Sequence, residues 1–301
     1  MKVLKLFSIV LALSLISISV KAQESCLSNS DVSIKDVKKA LAPLLGNAKV
    51  LSVSDSPVDG LYEVIVEVNG KKIPVYLDCS MEYLISGEII SIKERKSLTR
   101  EKVTKLNQQD LKEKLAKLEK RIGKEKAEKL KKILGERGLS RIRLIDENAM
   151  PTKADVILGN KNAKFVIYEI TDPQCPFCKR FHEEMKKVLA KRNDVQFRVI
   201  LFPLPFHKYA KPVSKAIICQ PTKEASAKLL NKAFEKQTDK EEFKKLGEKA
   251  CDKAEEALNQ NMEIAQKLGI RGTPTLIFPH GIVISGAIPA DMLNKIIDAL
   301  K

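Results

Sequence analysis

The sequence predicts an α/β domain with a helical insert in its C-terminal half, preceded by a small α+β domain and a charged helical linker. Two observations predict the α/β domain. The apolar run from Phe165 to Ile170 fits a buried strand, and it leads through a short turn into the CxxC motif at Cys175 and Cys178. Further along the chain, Gly272-Thr273-Pro274 precedes a second pair of apolar runs and a last helix.

The composition is that of a folded protein with more than one core. The chain has 301 residues, of which 44% are hydrophobic and 31% are charged, and this balance argues against a disordered or fibrous protein. Its length suggests about two domains. Six cysteines are too few for a small disulfide scaffold, but they suffice for a redox site and one or two structural disulfides.

The N-terminus predicts export. Lys2 and Lys5 precede an apolar run at residues 6–20, and Val20-Lys21-Ala22 provides the small residues that a signal peptidase recognises. The apolar run is shorter than the roughly 20 residues that a membrane-spanning helix needs. We therefore interpret residues 1–22 as a signal peptide and expect a mature chain in a compartment where disulfides persist.

Most of the net charge of +16 lies in one segment. Residues 93–143 hold 19 Lys and Arg but only 8 Asp and Glu. The segment has helical apolar spacing and polar residues on its other faces, which favours a solvated linker helix, predicted over residues 93–150. Attraction to anionic membranes or nucleic acid is the alternative, and interleaved glutamates weaken it; we expect no nucleic-acid partner. The apolar positions are Leu111, Leu115, Leu118, Ile122, Leu130, Ile133 and Leu134.

Residues 23–92 have the pattern of a small α+β domain. Asn69-Gly70 is a strong hairpin signal because both residues tolerate positive φ. We also expect a second short hairpin around Ser86-Gly87. A domain of this size with open sheet edges is marginally stable alone, so self-association is expected. The predicted elements are a helix at 32–45, strands at 61–68 and 73–77, and short strands at 83–85 and 88–92.

Residues 151–301 continue past the CxxC motif in a recognisable order. That order is strand, CxxC, helix, strand, helical insert, Gly-Thr-Pro, hairpin and helix, which is a thioredoxin-like organisation. The predicted elements after the motif are a helix with an apolar side at 181–189, a strand at 195–202, helices over 209–268, strands at 275–278 and 282–285, and a helix at 290–300.

The CxxC spacing predicts redox chemistry. At the start of a helix, unpaired backbone N–H groups and the helix dipole favour an anion, so Cys175 is expected to have a lowered pKa and to attack disulfides. Cys178, one turn further, is expected to resolve mixed disulfides. Pro176 suits the first helical position, where its missing N–H costs nothing.

Two other residues near the motif have alternative interpretations. Glu169 is either an exposed strand residue or a buried carboxyl group with a raised pKa that relays a proton for Cys178, and the sequence leaves both open. Pro274 could be an ordinary turn proline. Beside a CxxC motif we favour a cis peptide bond after Thr273, which leaves the backbone of Thr273 available to a substrate strand.

The CxxC motif could instead bind a metal, with His182 as a third ligand. Structural zinc sites usually have four ligands in two close pairs, and no second CxxC is present, so we expect no metal and place His182 on the helix surface. Cys219 and Cys251 are either free core thiols or, in an oxidising compartment, a structural disulfide, which we favour. Cys26 and Cys79 form a second candidate disulfide.

Several stretches resemble the periplasmic DsbC/DsbG-type thiol:disulfide interchange proteins. Four lie in the C-terminal region and one in the N-terminal region, so the resemblance covers nearly the whole mature chain. These stretches are residues 171–182, 201–203, 215–219 and 268–275, together with residues 83–87.

The resemblance implies a periplasmic V-shaped homodimer without a cofactor. A cystatin-like N-terminal domain would dimerise, and two thioredoxin-like domains would face an apolar cleft for misfolded exported proteins. The implied activity is reshuffling of wrong disulfides, often with chaperone activity, by a pair that a membrane reductase of the DsbD type keeps reduced. Cys175 would be the nucleophile, Cys178 the resolving cysteine, Pro274 the cis-proline, and Cys219–Cys251 the structural disulfide. A DsbA-like dithiol oxidase and a non-enzymatic holdase are the alternatives.

Overall fold

The computed structural model describes Cys26 and residues 32–46, 48–68 and 70–301. The predicted signal peptide and Asn69 of the predicted hairpin turn lie outside these residues. The chain divides into two compact units, Met1–Gln109 and Asp110–Lys301. Among the described residues, no helix is both long enough and apolar enough to cross a bilayer.

Among the described residues, the first unit contains one complete helix, the start of a second, an antiparallel sheet with the strand order β1-β2-β3-β4 and a two-stranded sheet. A capping box starts the helix, since the side chains and backbone of Ser33 and Asp36 bond each other reciprocally. The boundary between the units falls within α2. The elements are α1 (Ile34–Leu45), β1 (Lys49–Asp55), β2 (Leu61–Val68), β3 (Lys71–Asp78), β4 (Leu84–Ile85), β5 (Ile90–Ser91), β6 (Lys96–Ser97) and α2 (Leu98–Ile122).

The core of this unit lies between α1 and one face of the sheet. Alternate residues of β2, such as Tyr62 and Val64, are buried together with Val37 of α1, as the period of two predicts. A disulfide between Cys26 and Cys79, with Cα atoms 5.5 Å apart, joins the N-terminal segment to the end of β3.

The predicted hairpin around Ser86-Gly87 is wrong. Instead, β4 pairs with β3, and β5 pairs with β6. The cause is Asp78, whose carboxylate accepts the backbone N–H groups of Glu82 (2.9 Å) and Tyr83 (2.7 Å) and turns the chain back onto β3.

The charged segment is more than a solvated linker. After α2, the chain breaks at Gly123 (φ 86°), continues as α3 (Lys124–Leu139), and kinks at Gly135 (φ 63°). All seven apolar residues that the spacing singled out contact the main core of the second unit, and Leu118 and Leu130 are fully buried in it. The helices thus cover that core with their apolar side while their lysines stay in solvent.

The second unit has a six-stranded sheet with the order β7-β12-β11-β9-β10-β8, in which only β9 and β10 are parallel. Its elements are β7 (Arg143–Leu144), β8 (Val156–Gly159), β9 (Phe165–Thr171), α4 (Pro176–Leu189), β10 (Val195–Leu201), α5 (Ala210–Ile218), α6 (Lys223–Lys236), α7 (Lys240–Leu246), α8 (Lys253–Lys267), β11 (Thr275–Phe278), β12 (Ile282–Ser285) and α9 (Ala290–Leu300).

The central strand β9 separates two apolar clusters. Phe165 and Ile167 belong to the cluster that also contains Cys178 and the buried side of α4. Tyr168 and Ile170 belong to a second cluster, which includes residues of α8. Because successive side chains of a strand point to opposite faces, the α4 side of the sheet continues along β9 at positions 169 and 171.

The helical insert α5–α8 is closed by a second disulfide. Cys219 follows α5 and Cys251 precedes α8, and their Cα atoms lie 5.9 Å apart. The amide of Asn261 in α8 donates to the carboxylate of Asp155 (2.7 Å) and to the carbonyl of Leu201 (3.0 Å), which fixes α8 to the end of β10.

Candidate active site

Cys175 caps the N-terminus of α4. Pro176 is the first residue of the helix, where no backbone N–H is needed. The carbonyl of Cys175 accepts the N–H groups of Cys178 and Lys179, both at 3.1 Å, and so starts the helical hydrogen-bond pattern. The sulfur is therefore held where the unpaired N–H groups of the first turn are available.

The environment of Cys175 favours its thiolate. Its pKa is lowered from 9.0 to about 5, first because the Cys178 thiol donates to it, and also because of Thr273 and the backbone N–H groups of Cys178 and Phe177. Burial opposes this shift, since only 4% of the residue is exposed. The Cys175 sulfur lies 3.6 Å from the carbonyl oxygen of Thr273, to which the protonated thiol donates.

Cys178 has the opposite character. It is fully buried, and burial together with the neighbouring Cys175 raises its pKa well above 9.0. The backbone N–H of Asp172 approaches its sulfur at 3.5 Å. The two sulfurs are both free thiols in the structure, and at neutral pH one is a thiolate and the other a thiol.

Glu169 is buried, which excludes an exposed strand residue, whereas its role as a proton relay for Cys178 stays a prediction. Only 1% of it is exposed, and burial raises its pKa from 4.5 to about 7. Its Oε1 atom forms no hydrogen bond with a described residue, and the same holds for the hydroxyl groups of Thr171 and Thr273. Three buried oxygens without regular partners thus belong to residues around the CxxC motif.

The peptide bond between Thr273 and Pro274 is cis. The carbonyl of Pro274 accepts the N–H of Gly286 at 2.8 Å, which connects this turn to the end of β12. The structure therefore places Cys175, Cys178 and Thr273 beside one another, and Glu169 lies in the strand that leads to the motif.

Residues 172–175, between β9 and α4, form the catalytic loop. Sequence reasoning missed two residues that hold this loop in place. The buried carboxylate of Asp172 accepts the N–H groups of Gln174 and Leu204 and the Nδ1–H of His207, all at 2.7 Å. The side-chain amide of Gln237 donates to the carbonyls of Pro173 (2.9 Å) and Cys175 (3.0 Å). An Asp before a proline was a visible turn signal, whereas nothing local marked Gln237.

The placement of His182 on the helix surface is wrong. The imidazole is buried, its Nε2 bonds the amide oxygen of Asn231 at 2.7 Å, and its ring lies 4.6 Å from that of Phe234. Burial lowers its pKa from 6.5 to about 4. The ring thus packs α4 against α6. In the described part of the chain, no three His, Cys, Asp or Glu side chains are arranged to hold a metal.

Two aromatic side chains beside the catalytic loop are open to solvent. Phe177, inside the CxxC motif, is 56% exposed and has the Arg180 guanidinium 5.7 Å from its ring centre. Phe206 is 77% exposed, and its ring packs edge-on against His207, which bonds Asp172. Exposed aromatics near a reactive group are suited to contact apolar side chains of another protein.

Comparison with known proteins agrees with this architecture. A family model for a thioredoxin-like domain matches residues 151–301, and a model for the disulfide bond isomerase N-terminal domain matches residues 25–100. The thiol:disulfide interchange protein DsbC of Salmonella typhimurium is 29% identical over 135 residues. That match covers 44% of this chain and 51% of the relative, so the chain spans about half the length of this curated protein.

Solved structures that match part of the chain were also found. A periplasmic thioredoxin-like protein from Salmonella enterica serovar Typhimurium is 22% identical, with 52% of this chain and 99% of that chain covered and a TM-score of 0.45. The catalytic domain of Proteus mirabilis ScsC is 28% identical, with coverages of 51% and 93% and a TM-score of 0.40. A disulfide interchange protein from Neisseria gonorrhoeae is 27% identical, with coverages of 52% and 98% and a TM-score of 0.40.

The predicted fold class is confirmed by the two family models and by the sheet topology. The thioredoxin-like model spans half of the chain, and the isomerase N-terminal model precedes it. The chain therefore belongs to the thioredoxin-like domain family, as a DsbC-type member of the thiol:disulfide interchange proteins.

Proposed function

We propose that the protein is a thiol:disulfide isomerase and reductase that corrects wrong disulfides in exported proteins. The observation that carries this proposal is the opposite protonation of two sulfurs in one CxxC motif. Cys175 has a pKa of about 5 and Cys178 one well above 9. The match to the disulfide bond isomerase N-terminal domain supports an isomerase over an oxidase.

The first step is nucleophilic attack. The Cys175 thiolate attacks one sulfur of a substrate disulfide, a mixed disulfide forms, and the other substrate sulfur leaves as a thiolate. The low pKa means that Cys175 is ionised at neutral pH without a separate base. We propose that the Thr273 backbone, whose carbonyl already contacts the Cys175 sulfur, lies beside the bound substrate strand.

Two outcomes follow from the mixed disulfide. In isomerisation, another substrate thiolate attacks the substrate sulfur of the mixed disulfide and Cys175 leaves as a thiolate again. In reduction, Cys178 attacks Cys175, the Cys175–Cys178 disulfide forms, and the substrate leaves with a thiolate. Cys178 must lose its proton for this step, and the buried Glu169, with a pKa of about 7, supplies an acceptor.

The reduced pair has to be regenerated after each reduction. We propose that a membrane reductase of the DsbD type performs this step and that the protein works in the periplasm, since the residues preceding the first domain have the pattern of a signal peptide. The disulfide Cys219–Cys251 supports the same compartment, because structural disulfides persist in oxidising environments.

We also propose a homodimer formed through the first unit. The edge strand β4 and the segment after it expose Tyr83, Ile85, Ile90 and Ile92, of which Ile92 is 90% exposed. An open edge with adjacent apolar side chains is a ready surface for a second copy. Light scattering at micromolar concentration should give twice the mass of one chain, and Ile92→Glu with Ile90→Glu should shift it to one.

Refolding of a scrambled protein with several disulfides tests the activity directly. The wild-type protein should restore native disulfides, and Cys175→Ala should not. Cys178→Ala should keep part of the isomerase activity but accumulate mixed disulfides. Equal rescue by the wild type and Cys175→Ala would exclude the proposal. Trapping of thiols in cells separates the alternative oxidase, because an oxidase would rest with Cys175–Cys178 as a disulfide.

A second role as a holdase is favoured by the exposure of Phe177 and Phe206 beside the site. Binding of unfolded chains through these rings needs no redox step. Suppression of aggregation should then persist in Cys175→Ala/Cys178→Ala and decrease in Phe177→Ser/Phe206→Ser. Loss of suppression in the cysteine double variant would remove this role.

A further inference from the structure

Several buried polar groups share the α4 side of the sheet with Cys178. Along β9, Phe165 and Ile167 pack into the cluster that contains Cys178. Glu169 and Thr171 continue this face because strand side chains repeat every two residues. Both residues are inaccessible to solvent, with exposures of 1% and 0%. The carboxyl group, the hydroxyl group and the thiol therefore occupy one buried region.

The backbone that follows Thr171 also approaches Cys178. The N–H of Asp172, the following residue, lies 3.5 Å from the Cys178 sulfur, and the carbonyl of Thr171 accepts the N–H of Phe202 at 2.7 Å. Both groups belong to the peptide unit that follows Thr171, so this unit is held between the Cys178 sulfur and the residue after β10. Its position relative to the sulfur is thus set by the end of the strand rather than by a loop.

The hydroxyl group of Thr171 is buried without a hydrogen-bond partner among the described residues. The same is true of the Oε1 atom of Glu169. A buried hydroxyl without a partner is costly, so such a group usually has a role outside the resting contacts. Although it makes no regular bond, it acts on both neighbours, because its proximity lowers the pKa of the Glu169 carboxyl and of the Cys178 thiol.

We infer that the Thr171 hydroxyl relays the proton of the Cys178 thiol to the Glu169 carboxylate when the mixed disulfide is resolved. This inference deepens the proposed function and depends on it. A hydroxyl group suits the task because it accepts one proton while it donates another. Thr171 would then be a catalytic residue, because its hydroxyl group takes the proton of a reacting sulfur.

The Cys178 thiol gives its proton to the Thr171 oxygen, and the Thr171 hydroxyl gives its own proton to Glu169. The Cys178 sulfur forms a bond to the Cys175 sulfur, and the bond between Cys175 and the substrate sulfur breaks. The substrate leaves as a thiolate with the electron pair of that bond, and the proton remains on Glu169.

One stopped-flow experiment separates the two half-reactions. The reduced protein reacts with 5,5′-dithiobis(2-nitrobenzoate), which releases one coloured thiolate when Cys175 attacks and a second when Cys178 resolves the mixed disulfide. The first phase tests the proposed function, and the second tests the relay. Thr171→Val removes the hydroxyl at nearly constant volume, and Thr171→Ser keeps it. Ser214→Ala is the matched control, because the Ser214 hydroxyl is also buried without a partner but lies in α5.

The relay predicts a selective loss in the second phase. Thr171→Val should slow it about a hundredfold at pH 7–8, the lower end of the range for general acid–base catalysis, and should leave the first phase unchanged. Thr171→Ser and Ser214→Ala should resemble the wild type. Glu169→Gln should be as slow as the double variant Glu169→Gln/Thr171→Val, because both changes interrupt one path.

The pH profile distinguishes a relay from a packing defect. In the wild type the second phase should rise through a pKa of about 7, the value of Glu169, and Thr171→Val should lose this rise. The difference in second-phase rate between the wild type and Thr171→Val should disappear at strongly alkaline pH, where hydroxide removes the proton of Cys178 directly. A wild-type rate in Thr171→Val, a slow Thr171→Ser, or a gap that does not change with pH would overturn the relay. Absence of the first phase in the wild type would instead overturn the proposed function.

Discussion

The second unit contains two cysteine pairs with opposite chemistry. Cys219 and Cys251 are 32 residues apart and form a disulfide that closes the helical insert. Cys175 and Cys178 are three residues apart and remain free thiols at the start of α4. The members of the first pair join two segments, whereas those of the second share one turn of helix.

This difference shows that burial alone does not set the chemistry of a cysteine, because sequence spacing and the local hydrogen-bond donors also decide it. Both catalytic sulfurs are buried, yet the pKa of Cys175 falls and that of Cys178 rises. The first lies at a helix N-terminus with N–H and S–H donors, and the second lies in the apolar core behind it. The following predictions test this contrast.

The largest expected effect concerns alkylation. At pH 6, iodoacetamide should modify Cys175 about tenfold faster than an ordinary cysteine, because a pKa of about 5 leaves it mostly ionised and this outweighs the lower nucleophilicity of a more acidic thiol. Cys178 should stay unmodified. The rate at Cys175 should rise with pH through about 5, as measured by mass spectrometry of quenched samples.

Cys178→Ala sharpens the same measurement. The Cys178 thiol is the largest cause of the lowered pKa of Cys175, so the inflection should move upward in this variant. An unchanged inflection near 5 would show that the helix terminus alone stabilises the thiolate.

Removal of the Cys219–Cys251 disulfide should lower the free energy of unfolding but leave the reactivity of Cys175 unchanged. In the chain-entropy model, a loop of 32 residues corresponds to about 4 kcal/mol. Urea unfolding of Cys219→Ala/Cys251→Ala should show a loss of this order, while the alkylation profile of Cys175 stays the same. A shifted profile would mean that the insert disulfide also shapes the catalytic loop.

Glu169→Gln should stabilise the reduced protein at high pH. The pKa of Glu169 is raised from 4.5 to about 7, so its stabilising contribution is complete below about pH 4.5 and is lost as pH rises through 7. The wild type then carries a penalty of roughly 3 kcal/mol at pH 8, which the neutral amide avoids. Urea unfolding of the wild type and of Glu169→Gln at pH 4 and pH 8 measures this penalty. Glu263→Gln, at an exposed position, serves as the control. Equal effects at both pH values would contradict burial of an ionisable carboxyl.

The parts of the site that the sequence predicted are those with local signals. The apolar run of β9, the CxxC motif and the Gly-Thr-Pro turn each follow from neighbouring residues, and the structure brings them together. The burial of Glu169 could not be decided, because one strand does not reveal which of its faces meets a helix. β7 and β8 were not predicted, because short strands give too little periodicity.

Long-range contacts explain the remaining differences. His182 lies four residues after the buried Cys178 and therefore on the same face of α4, where α6 supplies Asn231 and Phe234 to cover it. β4 was assigned to the wrong hairpin because the turn that directs it onto β3 depends on the side chain of Asp78. In both cases the deciding partner lies outside the window that a periodic pattern can read.

The smallest expected effect concerns Gln237, which couples the insert to the catalytic loop. Its amide donates to the carbonyls of Pro173 and Cys175, and loss of both bonds in Gln237→Leu should cost about 1–3 kcal/mol. The exposed Gln260→Leu is the matched control. Because the Cys175 carbonyl keeps its helical N–H partners, the alkylation inflection should move up by less than in Cys178→Ala. A shift as large as in Cys178→Ala would mean that the insert, through one amide, sets the acidity of the nucleophile as strongly as the second sulfur does.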